Sequence, residues 1–271
     1  MTLEKKKQQL EAILTELDSV LIAFSGGVDS TLLLKIALNT LGPKRVVALT
    51  ATSPTYPRHE FDESVRLAKE LGARQLVMES NELEIPGFAD NPPLRCYHCK
   101  KELMQICLDK AKEMGCKQVI DGSNLDDLDD YRPGREASKE LGIRSPLLEA
   151  GLTKEEVRQL SRELGLDTAE KQAFACLASR FPYGTQITAE RLQQLDRCEG
   201  FLRDKGFRVF RVRYHGDCAR IEVALDELTR IIDDEIRLEL VDTFKSAGFT
   251  YVSLDLQGYR TGSMNEGAAL T

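Results

Sequence analysis

"SVLIAFSGGVDSTLLLKIALNTL", residues 19–41, reads as strand, tight turn and helix in one pass. The run 19–24 is short, apolar and rich in residues that suit a buried strand. Two adjacent glycines then break it, and the apolar-rich stretch 31–41 has the length and composition of a buried helix. Such a unit opens a parallel sheet, and the chain repeats its logic. "RVVALTA" (45–51) reads as a second buried strand, "RHEFDESVRLAKELGA" as a helix ending at Gly72, and "RQLVMES" as a third strand. "KKELMQICLDKAKEMGC" reads as another helix and "KQVIDGSN" as another strand ending in a loop. Strands alternating with helices of 10–15 residues predict an α/β fold with a doubly wound parallel sheet.

The pattern continues to a helix after residue 153, where Thr153 and Glu156 make a capping box and Gly165 supplies the stop. Beyond about residue 166 it changes. A helix over "ITAERLQQLDRCEGFLRDKGF", alternating strands "RVFRVRYH" and "CARIEVAL", one long helix over "DELTRIIDDEIRLELVDTFKSAGF" and a strand "TYVSLDL" predict a smaller C-terminal α+β domain. The boundaries are placed at 1–165 and 166–271. The last dozen residues, "RTGSMNEGAALT", are polar and are expected to be loose.

The 271 residues carry 42% hydrophobic and 30% charged side chains and a net charge of -7. That balance argues against a general nucleic-acid binder, which would show a basic excess. No apolar run approaches the ~20 residues that span a bilayer. The N-terminus reads as a charged amphipathic helix without the apolar centre of a signal peptide. Seven cysteines in that setting are expected to be thiols of a cytoplasmic protein.

The turn "SGGVDS" (25–30) lies where ligands bind in open α/β sheets, outside the carboxyl ends of the strands. Gly26 and Gly27 let the backbone approach a phosphate, the helix N-terminus attracts its charge, and Ser25 and Ser30 add hydroxyl donors. Asp29 would repel a phosphate unless Mg²⁺ lies between them. Neither GxxxxGK[ST] nor GxGxxG occurs. A second loop, "DGSNLDDLDDYRPG" (121–134), should meet the same sheet edge. It brings Gly122, Asn124, the carboxylates of Asp126, Asp127, Asp129 and Asp130 as possible Mg²⁺ ligands, and Arg132 as a partner for phosphate or carboxylate.

Two further groups carry chemistry. "NPPLRCYHCKKEL" (91–103) sets Cys96 and Cys99 three apart at the start of a helix. A zinc site with His98, a redox dithiol, a pair of packing residues and two ligands awaiting a third cysteine all fit that spacing. In "KQAFACLASRFPYGT" (171–185), Cys176 lies between a lysine and Ser179-Arg180, cationic neighbours that favour a thiolate. On the strand 208–215, Arg211 and Arg213 share a face by the two-residue period. Two guanidiniums side by side call for an anion, either a bound carboxylate or phosphate or Glu199 of the preceding helix.

"SGGVDS" resembles the PP-loop of the ATP pyrophosphatases, enzymes that cleave ATP between the α and β phosphates and adenylate a substrate oxygen. The resemblance implies their adenine nucleotide alpha hydrolase-like fold. Taken together, "SGGVDSTLLLK", "DGSNLDDLDDYRPG", "CLASRFPYGT", "RVRYHGDCARIE" and "LDLQGYRTGSMNE" resemble the LarE sulfur transferases of nickel-pincer nucleotide cofactor biosynthesis over nearly the whole chain. That resemblance implies ATP with Mg²⁺ as cofactors and pyridinium-3,5-biscarboxylic acid mononucleotide as substrate. It also implies adenylation of a substrate carboxylate, replacement of AMP by sulfur and a thiocarboxylate product. It implies Cys176 as the nucleophile, and Ser25, Gly26, Gly27, Asp29, Ser30, Gly122 and Asn124 around ATP. Arg132, Ser179, Arg180, Glu199, Arg211 and Arg213 would surround the substrate. In one branch of the family a single cysteine gives up its own sulfur. In another, three cysteines hold a [4Fe–4S] cluster, and the coexistence of Cys96, Cys99 and Cys176 leads to the expectation of that branch. Small-molecule partners and a homo-oligomer are expected. The competing readings are another ATP pyrophosphatase, such as a tRNA thiolase or an NAD- or GMP-synthetase-like amidator, and a catalytically silent nucleotide sensor.

Overall fold

The computed structural model describes residues 1–128, 133–172, 175–260 and 263–265. The chain divides into two compact units, one of residues 1–81 and 94–174, the other of 82–93 and 175–271.

The first unit is built on four parallel strands, β1 (Val20–Ala23), β2 (Val46–Thr52), β3 (Arg74–Glu79) and β4 (Gln118–Ile120), in the order β3-β2-β1-β4. Helices α1 (Leu3–Leu17), α2 (Val28–Leu41), α3 (Arg58–Glu70), α4 (Arg95–Met114), α5 (Pro133–Glu140), α6 (Pro146–Glu149) and α7 (Lys154–Glu163) surround it. The two-residue period of β1 divides the core. Val20 and Ile22 pack with Leu10 and Leu14 of α1, Leu32 and Ile36 of α2, and Val157 and Leu160 of α7. Leu21 faces the other way, into Met104, Cys107 and Ala111 of α4. Covered on both faces, the strands can be apolar throughout, which is why they read as continuous runs. The capping box of α7 forms as expected, with Thr153 accepting from the Glu156 N–H and Glu156 accepting from the Thr153 N–H.

The second unit holds β5 (Phe210–His215), β6 (Cys218–Val223) and β7 (Tyr251–Leu254) with α8 (Ala189–Asp204), α9 (Leu228–Ile231) and α10 (Asp234–Ser246). β5 and β6 form an antiparallel hairpin through Gly216-Asp217, and β7 joins β6 in parallel. Tyr214 packs between Phe181 and Phe249, with ring centroids 5.0 and 5.9 Å away. The segment 82–93 is tied into this unit by backbone bonds from Gly184 to Asn91 and from Ile187 to Ala89. Buried Asn91 adds side-chain bonds to the Phe181 and Pro182 carbonyls.

One expectation is corrected. The long helix expected over 226–249 is broken at Asp233, whose carboxylate accepts from the Glu235 N–H and starts α10 afresh. An aspartate free to cap outcompetes helix continuation. In the C-terminal stretch expected to be loose, Ser263 is buried and hydrogen-bonded to Arg213 and Glu222. No helix among the described residues is long and apolar enough to cross a membrane.

Candidate active site

The strand order reverses direction between β1 and β4, so the crevice outside their carboxyl ends is the topological switch point of the first unit. Two loops meet there. After β1, Ser25, Gly26 and Gly27 turn into α2, whose N-cap is Gly27. Gly26 has φ +67, and a Cβ on it would come within 3.1 Å of Ser64 Cα, so the turn needs glycine. The hydroxyls of Ser25 and Ser30 lie 3.2 Å apart, and Ser30 Oγ donates to the Gly27 carbonyl. After β4, Gly122 passes so close that a Cβ would sit 3.0 Å from the Ser30 amide nitrogen. Asn124 Nδ2 donates to Asp29 Oδ1 at 3.1 Å. All seven residues expected around ATP therefore belong to one cradle at the start of α2.

Three side chains of this cradle have no motif in the sequence to announce them. Lys154, the first residue of α7, places its ammonium on Asp29 Oδ2. Lys171 donates to the Gly26 carbonyl at 3.2 Å while paired with Glu60 and Glu63 at 2.7 and 2.6 Å. Burial pushes the Glu60 carboxyl up, but His59 and Lys171 more than offset this and hold it below its ordinary range. Tyr56 donates to the Ser25 carbonyl at 2.8 Å, and its burial raises the phenol well above its usual value, so it stays a donor.

Asp126 and Asp127 are both engaged by backbone N–H groups. Asp126 accepts from the Lys154 N–H at the start of α7, and Asp127 accepts from the Asn124 N–H. Asp129, Asp130 and Arg132 lie outside the described residues. One carboxylate beside an anion cradle matches how Mg²⁺ is held with nucleotides, through few protein ligands plus phosphate oxygens. Asp29 fits that role.

In the second unit Cys176 is half-buried and opens a short 3-10 turn over Leu177–Arg180. Buried Arg180 organises that turn: it donates to the Ala175 and Cys176 carbonyls at 2.8 and 3.2 Å and to Ser179 Oγ at 2.8 Å. Its other edge makes a two-pronged pair with Glu199, both bonds 2.8 Å, and Glu199 also accepts from the Val212 N–H. Burial alone would lower the Arg180 guanidinium, but Glu199 and then Cys176 raise it.

Arg211 and Arg213 lie on β5 as expected, yet their anions differ from those foreseen. Glu199 serves Arg180, while Arg213 pairs with Glu222 of β6 at 2.8 Å, and Arg220 bridges Glu222 and Asp255. The hairpin register sets Arg211 opposite Glu222, a pairing visible in the sequence only once the Gly216-Asp217 turn is fixed. The Arg211 guanidinium lies 5.2 Å from the Tyr259 ring centroid. Burial and then Arg180 depress it, partly offset by Glu199.

Cys96 and Cys99 share one face of the first turn of α4, Cys96 exposed and Cys99 half-buried, in the first unit, whereas Cys176 belongs to the second. Among the described residues no group of three or more His, Cys, Asp and Glu could hold a metal ion.

The switch-point crevice and its glycine cradle define a PP-loop protein. A model of the NAD synthase family matches residues 3–86, the stretch that carries the turn from Ser25 to Ser30. Over the whole chain the likeness is narrower. A protein of Lactiplantibacillus plantarum named pyridinium-3,5-bisthiocarboxylic acid mononucleotide synthase is 42% identical over 98% of this chain and 95% of its own length. Uncharacterised proteins of Synechocystis sp. and Methanocaldococcus jannaschii are 46% and 30% identical, over 97% and 89% of this chain and 98% and 91% of theirs. The chain belongs to the LarE family of PP-loop transferases, and it is an enzyme of that kind.

Proposed function

We propose that this protein is an ATP-dependent sulfurtransferase acting on pyridinium-3,5-biscarboxylic acid mononucleotide. The observation that carries the reading is the cradle of Gly26, Gly27 and Ser30 at the switch point, with Asp29 in the first turn of α2. The name of the Lactiplantibacillus plantarum relative, a bisthiocarboxylic acid mononucleotide synthase, supports a thiocarboxylate product. A substrate carboxylate oxygen attacks the α phosphorus of Mg²⁺-bound ATP, the bond to the β-phosphate oxygen breaks, and pyrophosphate leaves with the electron pair. AMP is a far better leaving group than oxide, so the acyl-adenylate is open to a thiolate.

Cys176 is the sulfur nucleophile in this reading. Its thiolate attacks the acyl carbon and AMP departs. Loss of the Cα proton to water with cleavage of the Cβ–Sγ bond then frees the thiocarboxylate and leaves dehydroalanine, with no change in overall redox state. Arg180, hydrogen-bonded to the Cys176 carbonyl, supports the thiolate, and Arg211 and Arg213, beside Ser179 and Glu199, bind the mononucleotide phosphate or second carboxylate. Arg132 would add to this from outside the described residues. In this reading nucleotide activation belongs to residues 1–165 and sulfur transfer to 166–271, in a cytoplasmic homo-oligomer. The rival to a sacrificial Cys176 is a [4Fe–4S] cluster as sulfur source, for which Cys96 and Cys99 offer two thiols three apart on α4. The test is pyrophosphate release with Mg²⁺, ATP and the mononucleotide. Wild-type protein should release it, and Asp29→Asn should abolish release; absence of release in the wild type would favour a nucleotide sensor.

A further inference from the structure

The loop that closes the cradle after β4 has two sides. Gly122 and Asn124 face the start of α2, where Gly122 approaches the Ser30 amide and Asn124 holds Asp29. Ser123, between them, lines a separate cavity of about 280 Å³, and its carbonyl accepts from the Leu148 N–H of α6. The cavity lies wholly within the first unit, bounded by α5, residues 142–145 and α6. Its volume is slightly below that of drug-sized ligand sites, so it suits a small molecule. Charge in it does not balance. Arg135, Lys139 and Arg144 line it with one carboxylate, Glu149, an excess of two positive charges. Arg144 spends two N–H groups on Glu149, which neutralises that pair. Arg135 gives one N–H to the Asp127 carbonyl at 2.8 Å, and neither Arg135 nor Lys139 forms an ion pair among the described residues. Four apart on α5, these two cations share a helix face and repel each other unless an anion joins them.

The hydroxyls of the cavity add a second requirement. Ser138 and Ser145 donate to Asp121 Oδ2 and Oδ1 at 3.3 and 2.7 Å, so toward a ligand they can only accept. Buried Asp121 is itself matched by Lys100 at 3.3 Å and does not neutralise Arg135 and Lys139. One ligand chemistry answers both sets. A phosphate monoester carries about −1.5 to −2 charges at pH 7, which meets the cationic excess. Hydroxyl groups on its carbon skeleton would donate to Ser138 and Ser145. We propose that this cavity is a binding site for a small hydroxylated phosphate monoester of the sugar phosphate type, distinct from the ATP cradle. Arg135 and Lys139 grip the phosphate, and the two serines read the hydroxyls.

Calorimetric titration of the full chain with ribose 5-phosphate tests this, without and with Mg²⁺ and α,β-methylene ATP to fill the cradle. The wild type should bind ribose 5-phosphate in both cases. Loss of one charge-assisted contact in Lys139→Gln should weaken it about tenfold, and Lys139→Glu should abolish it. Lys139→Arg should keep the affinity within about threefold. Succinate, a dianion without hydroxyls, should bind at least about tenfold more weakly than the sugar phosphate. The assignment is overturned if the wild type does not bind ribose 5-phosphate, if the ATP analogue displaces it, or if Lys139→Glu binds it equally well. Equal binding of succinate would overturn the phosphate monoester as the ligand class.

Discussion

Seven cysteines with one composition signature have different environments, and reactivity follows environment. Burial pushes the Cys107 and Cys198 thiols up to about 12, so both should stay unmodified by an aromatic disulfide at pH 8, while exposed Cys96 reacts first. Mass spectrometry of the labelled peptides checks the order. Cys176→Ser should leave pyrophosphate release intact and abolish thiocarboxylate formation, separating the two half-reactions. Arg180→Met strands Glu199, a carboxylate with no exposure to speak of, and should destabilise the second unit by about 3–5 kcal/mol in urea unfolding. In the first unit, burial pushes the Asp121 carboxyl up, but Lys100 at 3.3 Å and bonds from Ser145 and Ser123 hold it below its ordinary value. Its unfolded form ionises near 4, so this stabilisation is present above that pH and is lost as the pH falls through the lower folded value. Lys100→Met should therefore reduce stability at neutral pH and shrink the acid-dependent loss, as thermal melts across pH would record.

Elements start and stop where local chemistry competes best with periodicity. The Thr153 box was legible because its two members sit at a fixed spacing. Asp233 was not, since an apolar pattern runs across it and only the chain direction after Ile232 makes it a cap. Asp233→Ala should cost about 1 kcal/mol, read from the thermal midpoint of the intact chain. The cradle turn is more demanding. Gly26→Ala must adopt a left-handed conformation, at about 1–2 kcal/mol, and push its Cβ against Ser64 of α3. It should both lower the melting temperature and weaken nucleotide binding.

At the scale of the molecule, the open matter is the origin of the sulfur. Protein prepared without oxygen should be analysed for iron and acid-labile sulfide. About four irons per chain, lost in Cys96→Ala, would place the protein among cluster-bearing enzymes; absence of iron with dehydroalanine at residue 176 after turnover would mark Cys176 as the donor. The succession of strands and helices and the glycine turn at 25–30 were determined by sequence alone, because each depends on contacts local in the chain or on hydrophobic period. Tertiary structure decided what depends on distant partners. It alone assigned 82–93 to the second unit, gave Arg213 to Glu222 and Arg180 to Glu199, and drew Ser263 into a buried network. It also brought Lys154 to Asp29 across 125 residues. A buried charge takes whichever opposite charge the fold brings within reach, and no spacing along the chain records that choice.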